Sequence, residues 1–209
     1  VQSEHLRDTI KAIQGTVLLY KTIGNISERF KMKDKHRHIW YCNDWEKYIK
    51  SDDVMLKKGL RLHINSDVDS AVRLFISDFA KWLRKEFEFP LRVNVYVKAS
   101  YRIKAKDGDM VVGTCWRPDD YSSYPYIRLA TGDYNELVEE RGEEGAMWAI
   151  LASFSHELTH YYQHINNLQL TLVGEERQAQ AYANRILDAY DLSKNKAEEG
   201  SENNQDTAL

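Results

Sequence analysis

The chain has 209 residues, 43% hydrophobic and 29% charged, with a formal net charge of -3. That is enough for one domain with its own core plus extensions, and the composition is that of an ordinary globular protein. Charge this close to balanced sets up no one-signed field, and no apolar run reaches membrane-helix length, so neither nucleic acid nor a membrane is the expected partner.

In chain order, the first predicted element is a helix over residues 6–20, where Leu6, Ile10, Ile13, Val17 and Tyr20 fall on one face. A basic run over 29–38 reads as a solvated face rather than a nucleic-acid surface. An aromatic segment around Trp40, Tyr41, Trp45 and Tyr48 is expected to pack onto the main body, which is expected to begin near Lys57.

Residues 61–64 read as a short strand, and residues 65–67 offer oxygens that can cap a helix. Val68, Val72, Phe75, Phe79 and Trp82 form the apolar stripe of that helix, and Pro90 stops it. Val93, Val95 and Val97 alternate with polar neighbours as in a half-buried strand. Asp107-Gly108 signals a hairpin turn, with residues 110–116 as the returning strand. Residues 126–130 read as a further strand, placed at a sheet edge because Pro125 cannot donate to a ladder.

Ala146, Ile150, Phe154 and Leu158 mark a long helix from about Glu143 to Ile165. A last helix spans roughly 175–190, with Ala179, Tyr182, Ala183 and Ile186 inward. The tail has too little apolar surface to fold. The predicted organisation is a helical and aromatic extension (1–56), a main domain (57–191) and a disordered polar tail (192–209). The predicted fold class is α+β: a small, mostly antiparallel sheet with an edge strand, packed on a backing helix and two further helices.

Chemistry concentrates in Ser155-His156-Glu157-Leu158-Thr159-His160. Histidines four apart on a helix share one side, about a turn from each other, and two such imidazoles can share a tetrahedral zinc. Glu157 is poorly placed to bind the same ion but can reach a water beside it, the role of the glutamate in H-E-x-x-H. His164 is roughly 12 Å from His156 along the axis, too far for the same ion. Glu175 and Glu176 open the next helix, and either carboxylate could fold back to complete a His₂Glu set with one open position. A structural rival has a fourth protein ligand, from His164, His36 or His38, and is closed and inert.

The run Glu176-Arg-Gln-Ala179-Gln-Ala-Tyr182-Ala183 resembles the third-ligand helix of the gluzincin metallopeptidases, and the order of elements is similar to their smallest members. Residues 125–163 also resemble a group of small bacterial proteins of unknown role. The resemblance covers about residues 60–190. It implies Glu176 as third zinc ligand beside His156 and His160, Glu157 as general base, Ala179 as the small residue between helices, and a peptide or protein as substrate. Gln180 stands where an Asp or Asn supports a ligand histidine. Tyr121, Tyr124 or Tyr162 could stabilise the oxyanion. Cys42 and Cys115 read as reduced thiols and no signal peptide is legible, which points to a cytoplasmic zinc peptidase.

Overall fold

Asp69 starts the first long helix, two residues beyond the cap that the sequence suggests. Its carboxylate accepts the Ala71 N–H at 2.8 Å, covering a first-turn amide that has no partner within the helix. Helix α1 (Ser70–Glu86) buries Val72, Phe75, Ile76, Phe79, Ala80 and Leu83, and ends as Phe87 turns extended ahead of Pro90. These elements come from a computed structural model that describes residues 38–47, 49, 57–106, 108–119 and 123–202. The expected helix over 6–20 and, apart from His38, the basic run lie outside the described residues.

The strands are β1 (Leu60–Ile64), β2 (Val93–Lys98), β3 (Ile103–Lys104), β4 (Met110–Val111), β5 (Gly113–Trp116) and β6 (Tyr126–Ala130). One sheet has the order β1-β2-β6-β5, and β3 and β4 make a separate antiparallel ribbon. Gly108 sits in the turn of that ribbon with φ +102, a conformation open to glycine.

The α+β class holds, but the sheet is mixed rather than mostly antiparallel. β1 pairs with β2 in parallel, and β2 with β6 in parallel; β5 joins β6 antiparallel. Parallel neighbours need a crossover. Helix α1 supplies one, and the excursion through β3, β4 and β5 supplies the other. β6 is consequently an interior strand, not the edge that Pro125 suggests. The proline lies one residue before the ladder, where its missing N–H is not needed, and its carbonyl accepts the Asn94 N–H at 3.3 Å. The edges of the sheet are β1 and β5.

Helix α2 (Tyr134–Ile165) is two helical runs joined at Gly142, whose φ of 73 and ψ of 167 are not helical. The second run matches the helix expected from Glu143 and buries Ala146, Ile150, Phe154, Leu158 and Tyr161. Asn167, with φ 50, turns the chain back; asparagine tolerates this left-handed geometry better than most residues. Helix α3 (Leu172–Glu202) returns along α2 and buries Ala179, Ala183, Ile186, Leu187 and Tyr190. Phe79 joins the three helices, its ring centroid 5.7 Å from Phe154 and 4.9 Å from Tyr190. α3 runs past Ser193 into the segment expected to be a disordered tail, through Lys, Ala and Glu residues that favour helix on their own. Residues 203–209 lie outside the described residues.

The aromatic segment belongs to the body of the fold. Ile39 and Trp40 are buried, Trp40 Nε1 donates to Thr159 Oγ1 at 3.0 Å, and its ring stacks on Tyr162 at 4.9 Å. The Trp45 N–H donates to Asn166 Oδ1 at 3.1 Å. The compact unit containing the sheet therefore starts at Ile39 rather than at residue 57. Cys42 and Cys115 are free thiols. Among the described residues no helix is long and apolar enough to cross a membrane.

Candidate metal centre

Helix periodicity brings the His156 and His160 rings together as expected, with their Nε2 atoms 3.2 Å apart. Leu158 and Tyr161, on the faces away from the rings, are fully buried and fix the rotation of α2. The turn at Asn167 then lays the start of α3 beside these rings. Ala179 is fully buried there, the small contact that the resemblance implies.

Of the two candidate carboxylates, Glu176 faces the imidazoles. Its Oε2 is 3.1 Å from His156 Nε2 and its Oε1 is 3.3 Å from His160 Nε2. Glu175 turns away, its Oε2 accepting from Arg117 Nη2 at 3.0 Å. Arg117, just beyond β5, thus pairs with the glutamate that does not face the imidazoles.

His156, His160 and Glu176 offer donor atoms all within 4.8 Å of one another, close enough to hold a metal ion. Their fit to a small tetrahedral ion can be tested by length. Ligand bonds of about 2.0–2.1 Å give tetrahedral edges of about 3.3–3.4 Å. The two Nε2 atoms, 3.2 Å apart, come within a few tenths of that value, and the carboxylate turns a different oxygen to each ring, Oε2 at 3.1 Å from His156 and Oε1 at 3.3 Å from His160. Among the described residues no fourth side chain joins the group. His164 stays outside it; burial, then the charge of Arg117, lowers its pKa to about 4. His36 lies outside the described residues.

The charges in this cluster are strongly coupled. Hydrogen bonds to His156 and His160 hold the Glu176 carboxyl well below the usual range. Burial pulls the His160 ring down, but the Glu176 hydrogen bond and the Glu157 charge outweigh it, and its pKa rises. Glu157 goes up because burial dominates, even though both imidazoles pull it down.

Glu157 is nearly buried and packs against the edge strand. A β-carbon on Gly113 would lie 2.9 Å from Glu157 Oε1 and 3.0 Å from its Cγ, so this close approach needs glycine. Burial also pushes the neighbouring Cys115 thiol far up, with the Glu157 charge adding to it. A cleft of about 660 Å³ opens between β5 and the helix pair, lined by His156, Glu157, His160 and Glu176 and walled by Gly113 and Arg117. The edge strand beside the site is therefore β5, not residues 126–130.

Support for the His160 ring also comes from a residue other than the expected one. Gln180 donates to Asn184 Oδ1 at 3.3 Å on an exposed face. Gln163, one turn after His160 on α2, has its Oε1 2.8 Å from His160 Nδ1. Its spacing of three from His160 was the available signal. Among the tyrosines, Tyr162 donates to Glu88 O at 2.9 Å and Tyr124 accepts the Lys57 N–H at 2.8 Å; neither lines the cleft, and Tyr121 lies outside the described residues. Comparison of the chain with known protein families, with curated proteins and with solved structures finds no match.

Proposed function

We propose that this chain is a zinc-dependent peptidase of gluzincin type, with His156, His160 and Glu176 as ligands and Glu157 as general base. The single observation that carries the reading is the convergence of two imidazole Nε2 atoms, 3.2 Å apart, and the Glu176 carboxylate, beside the nearly buried Glu157, which is not one of that group. Zinc, when bound there, supplies a Lewis acid that acidifies water and polarises a carbonyl.

The chain's own residues supply the rest. Glu157 takes a proton from the attacking water and passes it to the leaving nitrogen, so that water and a peptide bond become a carboxylate and a protonated amine, the second water proton also ending on that nitrogen. Its burial against Gly113 raises its proton affinity toward the range such a shuttle needs. The free edge of β5 offers main-chain groups to an extended peptide, which would lie along the cleft as an added strand.

The test is Glu157→Gln. Zinc content should be unchanged while hydrolysis of a protein or peptide pool falls by at least about 10²-fold, the lower range for losing a general base. A metal-stabilised binding module, the rival reading, would show no hydrolysis to lose in the zinc-loaded wild type.

A further inference from the structure

Gln163 is 1% exposed, and both ends of its amide are engaged. The Nε2 end lies 3.0 Å from the Glu175 main-chain oxygen and 2.9 Å from Gln178 Oε1. The Oε1 end lies 2.8 Å from His160 Nδ1.

A main-chain carbonyl only accepts. The amide end facing Glu175 must therefore be the NH₂, and the end facing His160 must be the oxygen. That oxygen accepts as well, so His160 Nδ1 must carry a hydrogen. In a neutral ring the lone pair then falls on Nε2, the atom 3.3 Å from Glu176 Oε1.

We infer that Gln163 is the positioning residue of the metal centre: its one amide fixes His160 in the Nδ1–H tautomer and docks the first turns of α3 so that Glu176 meets the ring. The inference rests on the metal reading proposed above. It assigns to α2 a support that the resemblance places at Gln180 on α3. An amide in this place orients the imidazole without adding the charge of a carboxylate, so it sets geometry more than basicity.

Two measurements test it. In the metal-free wild type, in alkaline buffer, long-range ¹H–¹⁵N NMR of the imidazoles should show His160 protonated at Nδ1. Protonation at Nε2 overturns the inference, whether or not zinc binds. Zinc affinity, read by competition with a chromophoric chelator, should fall about 10–100-fold in Gln163→Leu. Gln163→Glu keeps the acceptor toward His160 but loses the donor toward Glu175, so it should recover only part of that loss, while Gln180→Ala should match wild type. Equal affinity in wild type and Gln163→Leu overturns the inference. If Gln163→Leu does not fold, the NMR result decides. If wild type takes up no zinc, the metal reading fails, and the tautomer measurement still judges Gln163.

Discussion

Gly113 and Glu157 are matched in space: a β-carbon on the strand residue would come within 2.9 Å of the helix residue's Oε1. The backbone of the edge strand thus sets where the proposed base can sit. Gly113→Ala should push the Glu157 carboxylate out of place without touching His156, His160 or Glu176. A displacement near 1 Å at a reacting group can cost about 10²-fold in rate. Peptide hydrolysis should fall by roughly that factor with zinc stoichiometry unchanged. A fully active Gly113→Ala protein would show that the close contact has no bearing on catalysis.

Gly142 lies between the two runs of α2, with φ 73 and ψ 167, in a region reserved almost wholly for glycine. A β-carbon there would meet nothing within 4 Å, so the cost of substitution is one of backbone alone. Gly142→Ala should lower stability by about 1–3 kcal/mol, measured by urea unfolding. No change would mean that the break can be relaxed into continuous helix.

Trp40 is 2% exposed and hydrogen-bonded to Thr159, one residue before His160. Trp40→Ala should cost about 3–5 kcal/mol, the range for emptying a buried aromatic site. Urea unfolding of this variant measures it. A chain cut to begin at residue 57 should be at least as unstable, because it lacks the same ring; a stable truncated domain would contradict the placement of Ile39, Trp40 and Ile49 in the core.

His164 gives a pH dependence with a definite sign. Its pKa falls from 6.5 in the unfolded chain to about 4 in the fold, chiefly through burial. Between those values the unfolded state binds more protons than the folded one, so stability rises with pH. The contribution is fully present above about pH 6.5 and is lost as pH falls toward about 4. In the metal-free protein, the stability–pH slope over this window should be steeper for wild type than for His164→Gln. Identical slopes would show that His164 titrates alike in both states.

Elements whose signal is local were legible in the sequence. The spacing of Val72, Phe75 and Phe79 gave α1, the alternation of Val93, Val95 and Val97 gave β2, and the four-residue step from His156 to His160 gave the paired rings. What escaped depends on partners distant along the chain. Strand direction is set by the crossover path, which alternation does not encode, so β2 and β6 could not be seen as parallel neighbours. Pro125 carries the same local meaning at an edge or one residue outside an interior strand. The resemblance had already implied Glu176 rather than Glu175 beside the histidines, but the outward pairing of Glu175 with Arg117, 58 residues away, has no local signal. Trp40 and Thr159 meet across 119 residues, which is why the body appeared to begin too late. Gln163 was within local reach, but the family pattern drew attention to Gln180 instead.

X-ray absorption at the zinc edge of the metal-loaded chain tests the central claim most directly. The account predicts one zinc per chain with two imidazoles, one carboxylate oxygen and a light atom from solvent, at about 2.0–2.1 Å. The solvent atom should be replaced when a hydroxamate is added. A shell closed by a fourth protein ligand and indifferent to hydroxamate, or a chain that takes up no zinc, would contradict it.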